Sequence, residues 1–536
     1  MRPTLTLPTP ALYILYRLQM QGFEAYLIGG SVRDVLANAL GYYQTHKNVE
    51  CDDFDYTTNA VPEQTMTVFP KSFYKNQFGT VSVTPADLRE LMGWPREQKN
   101  EPMAPAEAPD RIPISQATRV HESLQLPTHA PPAEKLNNFE ITTFRVGEKY
   151  ETNNRQPSHL EWGTTIEEDL TRRDFTINAL ALKIKQQRLE ELFDNVQTQV
   201  EITISPEDYQ LIDRYQGLDD LRDNLVATIG DPDARFQEDA LRLMRAVRLS
   251  VQLNFAIEER TYAAIQHNAN LLATISKERV RDEFLKILGS SYPKEGIMLL
   301  DETGLLPYIL PELLVAKGVE QSGHHLTDVW VHSLDALAAC PNPDPIVRLA
   351  TLLHDIGKPE TQAQKDGQYT FYNHQVVGAH LARRICRRLK LSREQTTRVF
   401  LLVRHHMFHY LPENTDASIR RFMRQVGLEN LNDILDLREA DRLGSNAYKT
   451  SWRLEEMKAR MIEQLHQPMQ VRDLAIGGYD LMRELGLAPG PILGQILNTL
   501  LEEVLEDSSL NERDKLLARA RAIVDNRNTE KSLDSV

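Results

Sequence analysis

Asp53 and Asp55 stand two residues apart in DDFDYTT (52–58). On a strand, side chains at i and i+2 point to the same face. Two carboxylates so close repel unless a cation lies between them, and Mg²⁺ binds through one or two carboxylates together with substrate phosphates. Two such ions would activate an attacking hydroxyl and stabilise a leaving pyrophosphate. Upstream, Gly29, Gly30 and Ser31 end the apolar run YLIGG (26–30) and precede SVRDVLANAL, which reads as a helix. A glycine pair there lets backbone N–H groups approach a phosphate at the helix N-terminus. Each motif alone has a plainer reading, an Asp-rich loop or an ordinary strand–helix turn.

Two further sets carry chemistry. In EDALR (238–242), Asp239 and Arg242 are three apart and would share a helix face. The carboxylate offers only acceptors and the guanidinium only donors. Cytosine and adenine both present an amino donor beside a ring-nitrogen acceptor, so this pair complements them and leaves polar groups unpaired against uracil or guanine. An ordinary surface ion pair is the alternative. The second is a recurrence of His and Asp between residues 332 and 441. Imidazole nitrogen with carboxylate oxygen suits Ni, Mn, Fe, Co or Zn better than Ca, and a bound metal would supply hydroxide for phosphoester hydrolysis.

These residues need elements to hold them. QFGTVSV (77–83) and FEITTFR (139–145) are β-rich and partly alternating, so residues 22–83 and 138–182 read as mixed strand and helix. Residues 84–137 hold nine of the 28 prolines and little periodicity, which predicts a loosely held insertion. From about residue 205 the pattern is helical. EDALRLMRAVRLSV (238–251) has helical apolar spacing, and Ser276 is placed to cap ISKERVRDEFLKIL (275–288).

IGGSVRD (28–34), DFDYTT (53–58), FGTV (78–81), EITTFR (140–145), RRDFTINAL (172–180) and RFQEDALRLMRAVR (235–248) occur in this order. Together they resemble class II tRNA nucleotidyltransferases and the related bacterial poly(A) polymerases of the DNA polymerase β superfamily, over residues 20–290 with one interruption. The resemblance implies that Asp53 and Asp55 are catalytic and hold Mg²⁺. It implies that Gly29, Gly30, Ser31 and Arg33 cradle the triphosphate, with Asp34 supporting Arg33 and Arg145 near the metal. Arg172, Arg173, Asp174 and Asn178 would shape the nucleotide pocket. Asp239 and Arg242 would read the base, with Arg245 and Arg248 extending the basic side. The spacing of HSLDALAA, LLHDIGKPET, NHQVVGAH, VRHHMFH and EADRLGS resembles the HD domain of metal-dependent phosphohydrolases. That implies His332, His354, Asp355 and Asp441 as core ligands, with His374 and one of His405 or His406, here taken as His405, for a second ion. The tail 478–507 is similar to the C-terminal segment of nucleotidyltransferases fused to such a domain.

The expected fold is therefore an α+β head of the DNA polymerase β type, then an all-α neck and body, then an all-α HD domain. The expected boundaries are 1–200 for the head with its insertion at 84–137, 201–318 for the neck and body, 319–450 for the HD domain and 451–536 for a helical tail. The resemblance implies addition of CCA to tRNA from CTP and ATP. Rivals are poly(A) polymerase, an A-only or CC-only enzyme, a phosphohydrolase with a nucleotide-binding head, and a non-catalytic RNA scaffold. Ten residues (41–50) and the stretch 195–215 look added to the family pattern and read as surface loops. Apolar content of 41% argues for real cores, and three separated cysteines imply neither a disulfide framework nor a zinc cluster. No apolar run reaches the roughly 18–20 residues of a membrane span, and prolines interrupt the N-terminus where a signal peptide would be apolar, so a soluble cytoplasmic protein is expected. The net charge of −15 excludes a uniformly basic nucleic-acid binder but not a local strip, and 381–404 holds eight Arg or Lys against one Glu.

Overall fold

Residues Ala25–Ile28 (AYLI) are buried at all four positions, as a strand covered on both faces must be. The computed structural model describes residues 2–43, 53–74, 79–94, 138–150, 157–194, 200–321, 327–408, 410–445 and 452–533. The chain divides into two units, Met1–Ile275 and Ser276–Val536.

In the first unit the order is β1 (Leu5–Pro8), α1 (Thr9–Met20), β2 (Ala25–Ile28), α2 (Gly30–Leu40), β3 (Asp55–Thr58), α3 (Pro62–Val68), β4 (Phe73–Tyr74) and β5 (Thr80–Val83). Then come α4 (Pro85–Leu91), β6 (Phe139–Thr143), β7 (Arg145–Tyr150), β8 (Pro157–Trp162), α5 (Ile166–Thr171), β9 (Leu180–Ile184) and α6 (Gln186–Phe193). They are followed by β10 (Glu201–Ile204), β11 (Tyr209–Asp213), α7 (Gly217–Arg222), β12 (Leu225–Val226), α8 (Pro232–Glu238), α9 (Leu241–Leu253), β13 (Ala256–Ile257) and α10 (Glu259–Asn268). Among the described residues the main sheet has seven strands in the order β11-β9-β2-β3-β6-β5-β4. It is antiparallel except where β3 runs parallel to β6. Tyr26, Ile28, Phe144, Leu170 and Ala181 are among the buried side chains of one cluster formed by sheet and α5 residues.

Three expectations change here. The insertion does not begin at 84: Thr84 caps α4 by accepting a hydrogen bond from the Asp87 backbone N–H, and Leu88 is fully buried. Residues 95–137 lie outside the described residues, as do 44–52 and Phe78. Of the stretch 195–215, residues 195–199 lie outside the described residues; the rest is not simply an added loop, because it supplies β10, which pairs with β1, and β11, which pairs with β9 at the sheet edge. Alternation in EITI, with Ile202 and Ile204 buried and Glu201 exposed, is the period-2 pattern that marks such a strand. The strands β11, β12 and β13 also break the helical reading from 205 onward.

The second unit is almost wholly helical. It runs α11 (Lys277–Leu288), α12 (Pro293–Glu302), α13 (Leu306–Ile309), α14 (Pro311–Leu314), α15 (Val329–Ala339), α16 (Pro345–Leu353) and α17 (Lys358–Thr361). A small hairpin, β14 (Ala363–Lys365) and β15 (Gln368–Thr370), precedes α18 (His374–Arg388), α19 (Arg393–His405), α20 (Asp416–Val426) and α21 (Leu431–Gly444). The chain ends with α22 (Trp452–Gln464), α23 (Gly478–Leu485), α24 (Pro491–Glu506) and α25 (Arg513–Leu533). Ser276 occupies the N-cap position of α11, but its side chain makes no capping bond. Ile496, Leu500, Leu501 and Val504 of α24 form an apolar stripe packed with Leu481, Leu516 and Ala520. Among the described residues no helix is long and apolar enough to cross a membrane.

Candidate active site and metal centre

Sheet register brings the head motifs to one end. β2 and β3 are antiparallel with Ile28 opposite Asp55, so the glycine turn that follows Ile28 emerges beside that carboxylate. β9 is antiparallel to β2 with Ala181 opposite Ile28, and the Gly29 N–H donates to the Leu180 carbonyl at 3.3 Å. The segment leading into β9 therefore arrives at the same end. Gly29 has φ +78°, a left-handed conformation, and ends where α2 begins. A Cβ there would stand 3.1 Å from Arg173 Nη1 and 3.8 Å from Asp55 Oδ2. Backbone, guanidinium and carboxylate thus crowd one point at a helix N-terminus, where phosphate is favoured. Asp55 opens β3 and is half-buried, whereas Asp53 precedes the strand and is exposed. Glu140 stands opposite Asp55 in the parallel pairing, a third acid that the sequence reading left without a role.

Arg33 is buried and ties two motifs together. Its Nε and Nη2 donate to Asp34 at 2.8 and 3.1 Å, and its Nη1 donates to Asn178 Oδ1 at 2.7 Å. Asp34 also accepts from the Tyr43 hydroxyl, whose acidity is suppressed by burial and by that carboxylate. Ser31 Oγ donates to the Ile28 carbonyl, closing the turn. The organiser of the arginine pair is Asp169, fully buried and absent from the sequence-derived set. It accepts from Arg172 Nε and Nη2 at 2.9 and 2.7 Å, from Arg173 Nη2 at 3.4 Å and from the Arg145 backbone N–H at 3.3 Å. Burial pushes its carboxyl up, but Arg172 and Arg173 outweigh that and hold it below the usual range. Its spacing of three and four from those arginines was the available signal. Arg145 itself follows β6, at the far end of that strand from Glu140, and reaches Thr80 Oγ1.

Three family models match: "Poly A polymerase head domain" over 114–227, "Probable RNA and SrmB- binding site of polymerase A" over 254–317, and tRNA nucleotidyltransferase domain 2 over 370–520. The A-adding tRNA nucleotidyltransferase of Deinococcus radiodurans is 35% identical over 358 residues, covering 63% of this chain and 75% of that relative. The chain belongs to the tRNA nucleotidyltransferase family. A CCA-adding enzyme of Ligilactobacillus salivarius is 27% identical across 96% of both chains. The crystal structure of the Bacillus stearothermophilus CCA-adding enzyme in complex with CTP aligns with a TM-score of 0.60 and 26% identity, covering 98% of this chain and 100% of that one.

Within this nucleotidyltransferase, the EDALR segment departs from its expected geometry. Asp239 is not on a helix face with Arg242. It sits in extended backbone (φ −149°) between α8 and α9, where its Oδ1 accepts from the Leu241 N–H at 3.0 Å. The chain breaks there because an acid that bonds its own downstream backbone favours a cap over a helix interior. Arg242 donates to Glu238 Oε2 at 2.6 Å and to the Arg172 carbonyl at 3.0 Å, which links it to the RRDFTINAL segment. Arg245 Nε donates to Asp174 Oδ2 at 2.5 Å, and that pairing offsets burial to keep Asp174 ionised. Arg248 donates to Gln252 on the same helix at 2.9 Å.

The second unit collects a separate cluster. His332, His354 and Asp441 form one set and Asp355, His374 and His406 another, each with ligand atoms within 4.8 Å of one another. Asp355 lies between them: its Oδ2 is 3.4 and 3.3 Å from His332 and His354 Nε2, and its Oδ1 is 3.4 and 3.6 Å from His374 and His406 Nε2. The Nδ1 atoms of His354, His374 and His406 lie 2.7, 2.8 and 2.8 Å from the carbonyls of Thr351, Phe371 and Val403. A carbonyl only accepts, so each Nδ1 carries a proton and each ring directs its Nε2 into the cluster. His374 and His406 Nε2 are 3.3 Å apart. Two lone pairs at that distance repel, and a cation between them removes the repulsion, so the donor set fits a metal pair. Burial above all lowers His374 to about 4, which keeps it in the neutral, ligating form. Burial works against charge on His354, yet Asp355 and Asp441 raise it to about 10, so the site favours added positive charge.

The expected second-ion ligand His405 gives way to His406. Successive helical residues point about 100° apart, so only one of the pair at the end of α19 faces the cluster. His406 is fully buried in it, while His405 is half-exposed and belongs to neither set. Gly357 makes the convergence possible. A Cβ there would stand 2.3 Å from the His374 carbonyl and 2.6 Å from the Gly378 nitrogen, so only glycine lets the loop after Asp355 approach α18. Buried Lys358 places Nζ 2.6 Å from Asp355 Oδ2.

Proposed function

We propose that this enzyme builds or repairs the 3′-terminal CCA of tRNA without a template, using CTP and ATP and releasing pyrophosphate. The observation that carries this reading is the convergence of the left-handed Gly29, Arg173 and Asp55 at the start of α2. The α2 N-terminus receives the triphosphate, with Gly29, Gly30 and Ser31 supplying backbone approach and Arg33 locked beside them by Asp34 and Asn178. Asp53 and Asp55 would hold Mg²⁺, a hard cation that takes carboxylate oxygen, and when bound it would activate the tRNA 3′-hydroxyl and neutralise the departing pyrophosphate. Arg172, Arg173, Asp174 and Asn178 line the nucleotide, and Asp239 with Arg242 selects amino-bearing bases. Arg245 holds Asp174 in its ionised form, and Arg248 extends the basic side of α9. The tRNA is recognised by shape and phosphate contacts.

The test supplies tRNA lacking CCA, CA or A, with CTP, ATP or both, and sequences the products. Completion of CCA on all three is expected. Addition of A alone, of CC alone, or of a long A tail would assign the chain to one of those narrower or untemplated activities instead.

A second reading concerns the His/Asp cluster. His332, His354 and Asp441 would hold one transition metal and Asp355, His374 and His406 a second, as in the HD phosphohydrolases, with Ni, Mn, Co, Fe or Zn suited to the donors. When bound, such a centre supplies hydroxide for hydrolysis of a phosphoester, such as a phosphate left on a damaged tRNA end. Metal analysis of the purified chain and phosphate release from a 2′,3′-cyclic nucleotide test it. Neither metal nor release would sink it.

A further inference from the structure

Asp441 offers only one of its oxygens to the histidines. Oδ1 is 3.2 Å from His332 Nε2, while Oδ2 accepts from Arg438 Nη1 at 2.7 Å. Arg438 also lines a cavity of about 120 Å³ together with Arg442, Arg453, Phe408, Tyr410 and Met457. That volume is about four times the roughly 30 Å³ share of a liquid water molecule, room for a tetrahedral oxyanion and its first contacts. Among the described residues that line it three carry guanidinium groups and none a carboxylate, with Arg438 also paired to Asp441. Like charges brought together at a concave surface raise the local potential and draw an anion, and a guanidinium fork matches phosphate oxygens two at a time. Aromatic rings lie near two of the arginines. The Arg438 guanidinium lies 5.7 Å from the centre of the Phe408 ring, and that of Arg453 lies 5.4 Å from the Trp452 ring. Arg460 donates to the Tyr410 hydroxyl at 3.1 Å, which fixes that wall.

We propose that the cavity walled by Arg438, Arg442 and Arg453 is a phosphoryl-binding site beside the His/Asp cluster. Arg438 is common to both, so an anion in the cavity acts on Asp441 through one side chain. Occupancy draws the guanidinium toward the anion and leaves Asp441 Oδ2 more strongly negative. By linkage, phosphate and a metal at the cluster strengthen each other's binding. The phosphoryl group belongs to inorganic phosphate or to the phosphorylated end of an oligoribonucleotide. Anion binding itself does not depend on the hydrolytic reading of the cluster; the linkage to a metal rests on the metal reading.

The test is calorimetric titration of the full chain with inorganic phosphate, and separately with a 3′-phosphorylated oligoribonucleotide. Both are repeated on Arg442→Ala/Arg453→Ala and on the charge-keeping Arg442→Lys/Arg453→Lys. Expected is saturable binding that weakens at least about tenfold in the alanine pair, a tenfold change being about 1.4 kcal/mol, and is largely kept by the lysine pair. A loss in the alanine pair that is larger for the oligonucleotide than for phosphate identifies an RNA end as the source; an equal loss identifies the free anion. Unchanged binding by the alanine pair, or none by the parent, overturns the proposal. Metal content is read on the same samples, so absence of metal would reject the cluster reading while phosphate binding is still scored.

Discussion

At the scale of single residues, the sharpest expectations concern carboxylates and imidazoles. Asp53→Ala and Asp55→Ala should each lower nucleotide transfer by about 1000-fold or more, because several kcal/mol of charge stabilisation is lost, with tRNA affinity near that of the parent. Rapid-quench transfer and filter binding measure the two quantities. Asp239→Ala should relax preference for C and A over U and G by about 10- to 100-fold, the cost of one unpaired buried polar group, and retained selectivity would remove Asp239 from base reading. In the second unit, His406→Ala should lower the metal stoichiometry and His405→Ala should not, as read by elemental analysis. The residue types were legible in the sequence; which of two adjacent histidines faces inward was not, since that depends on the rotation of α19 against its neighbours. Asp169 was missed for a related reason. Its importance comes from burial among Arg172, Arg173 and the Arg145 N–H, and burial is a tertiary property.

At the scale of elements, the strand and helix positions that frame the head followed from period-2 and period-3.6 patterning. The glycine turn falls at the start of α2; of the acidic pair Asp55 opens β3, while Asp53 lies before the strand rather than on it. The failures have local causes. Asp239 was placed on a continuous helix because the apolar spacing runs unbroken through 238–251, yet its carboxylate caps the Leu241 N–H and splits the helix. The strands β10 and β11 were read as added loop because each is short, and their pairing with β1 and β9 is non-local. Two expectations belong here. Gly357→Ala should destabilise the second unit by about 1–3 kcal/mol through overpacking against α18, read as a lowered midpoint in denaturant. Asp169 has its carboxyl held below the ordinary value, so its stabilisation is complete above the unfolded value of about 3.9 and is lost as pH falls through the lower folded value. Thermal melts of the parent and Asp169→Asn on acidification should therefore show a shallower pH dependence in the variant, and parallel curves would contradict the assignment.

For the whole molecule, the chain is two units, each gathering its own set of charged side chains. The division at 275/276 falls within the stretch 201–318 that sequence composition treats as one neck and body, because helical periodicity continues across it without a change of pattern. Binding of a transition metal should stabilise the second unit selectively, by about 2.7 kcal/mol at a hundredfold excess over Kd. Calorimetric melts with and without metal would show it, and an equal shift of every transition would contradict it. The central claim rests on the first unit, and a crystal soaked with CTP and Mg²⁺ tests it most directly. The expected map has the triphosphate against the N-terminus of α2 and a cation bridging it to Asp53 and Asp55. A nucleotide bound elsewhere, or those two carboxylates turned away from it, would contradict the claim.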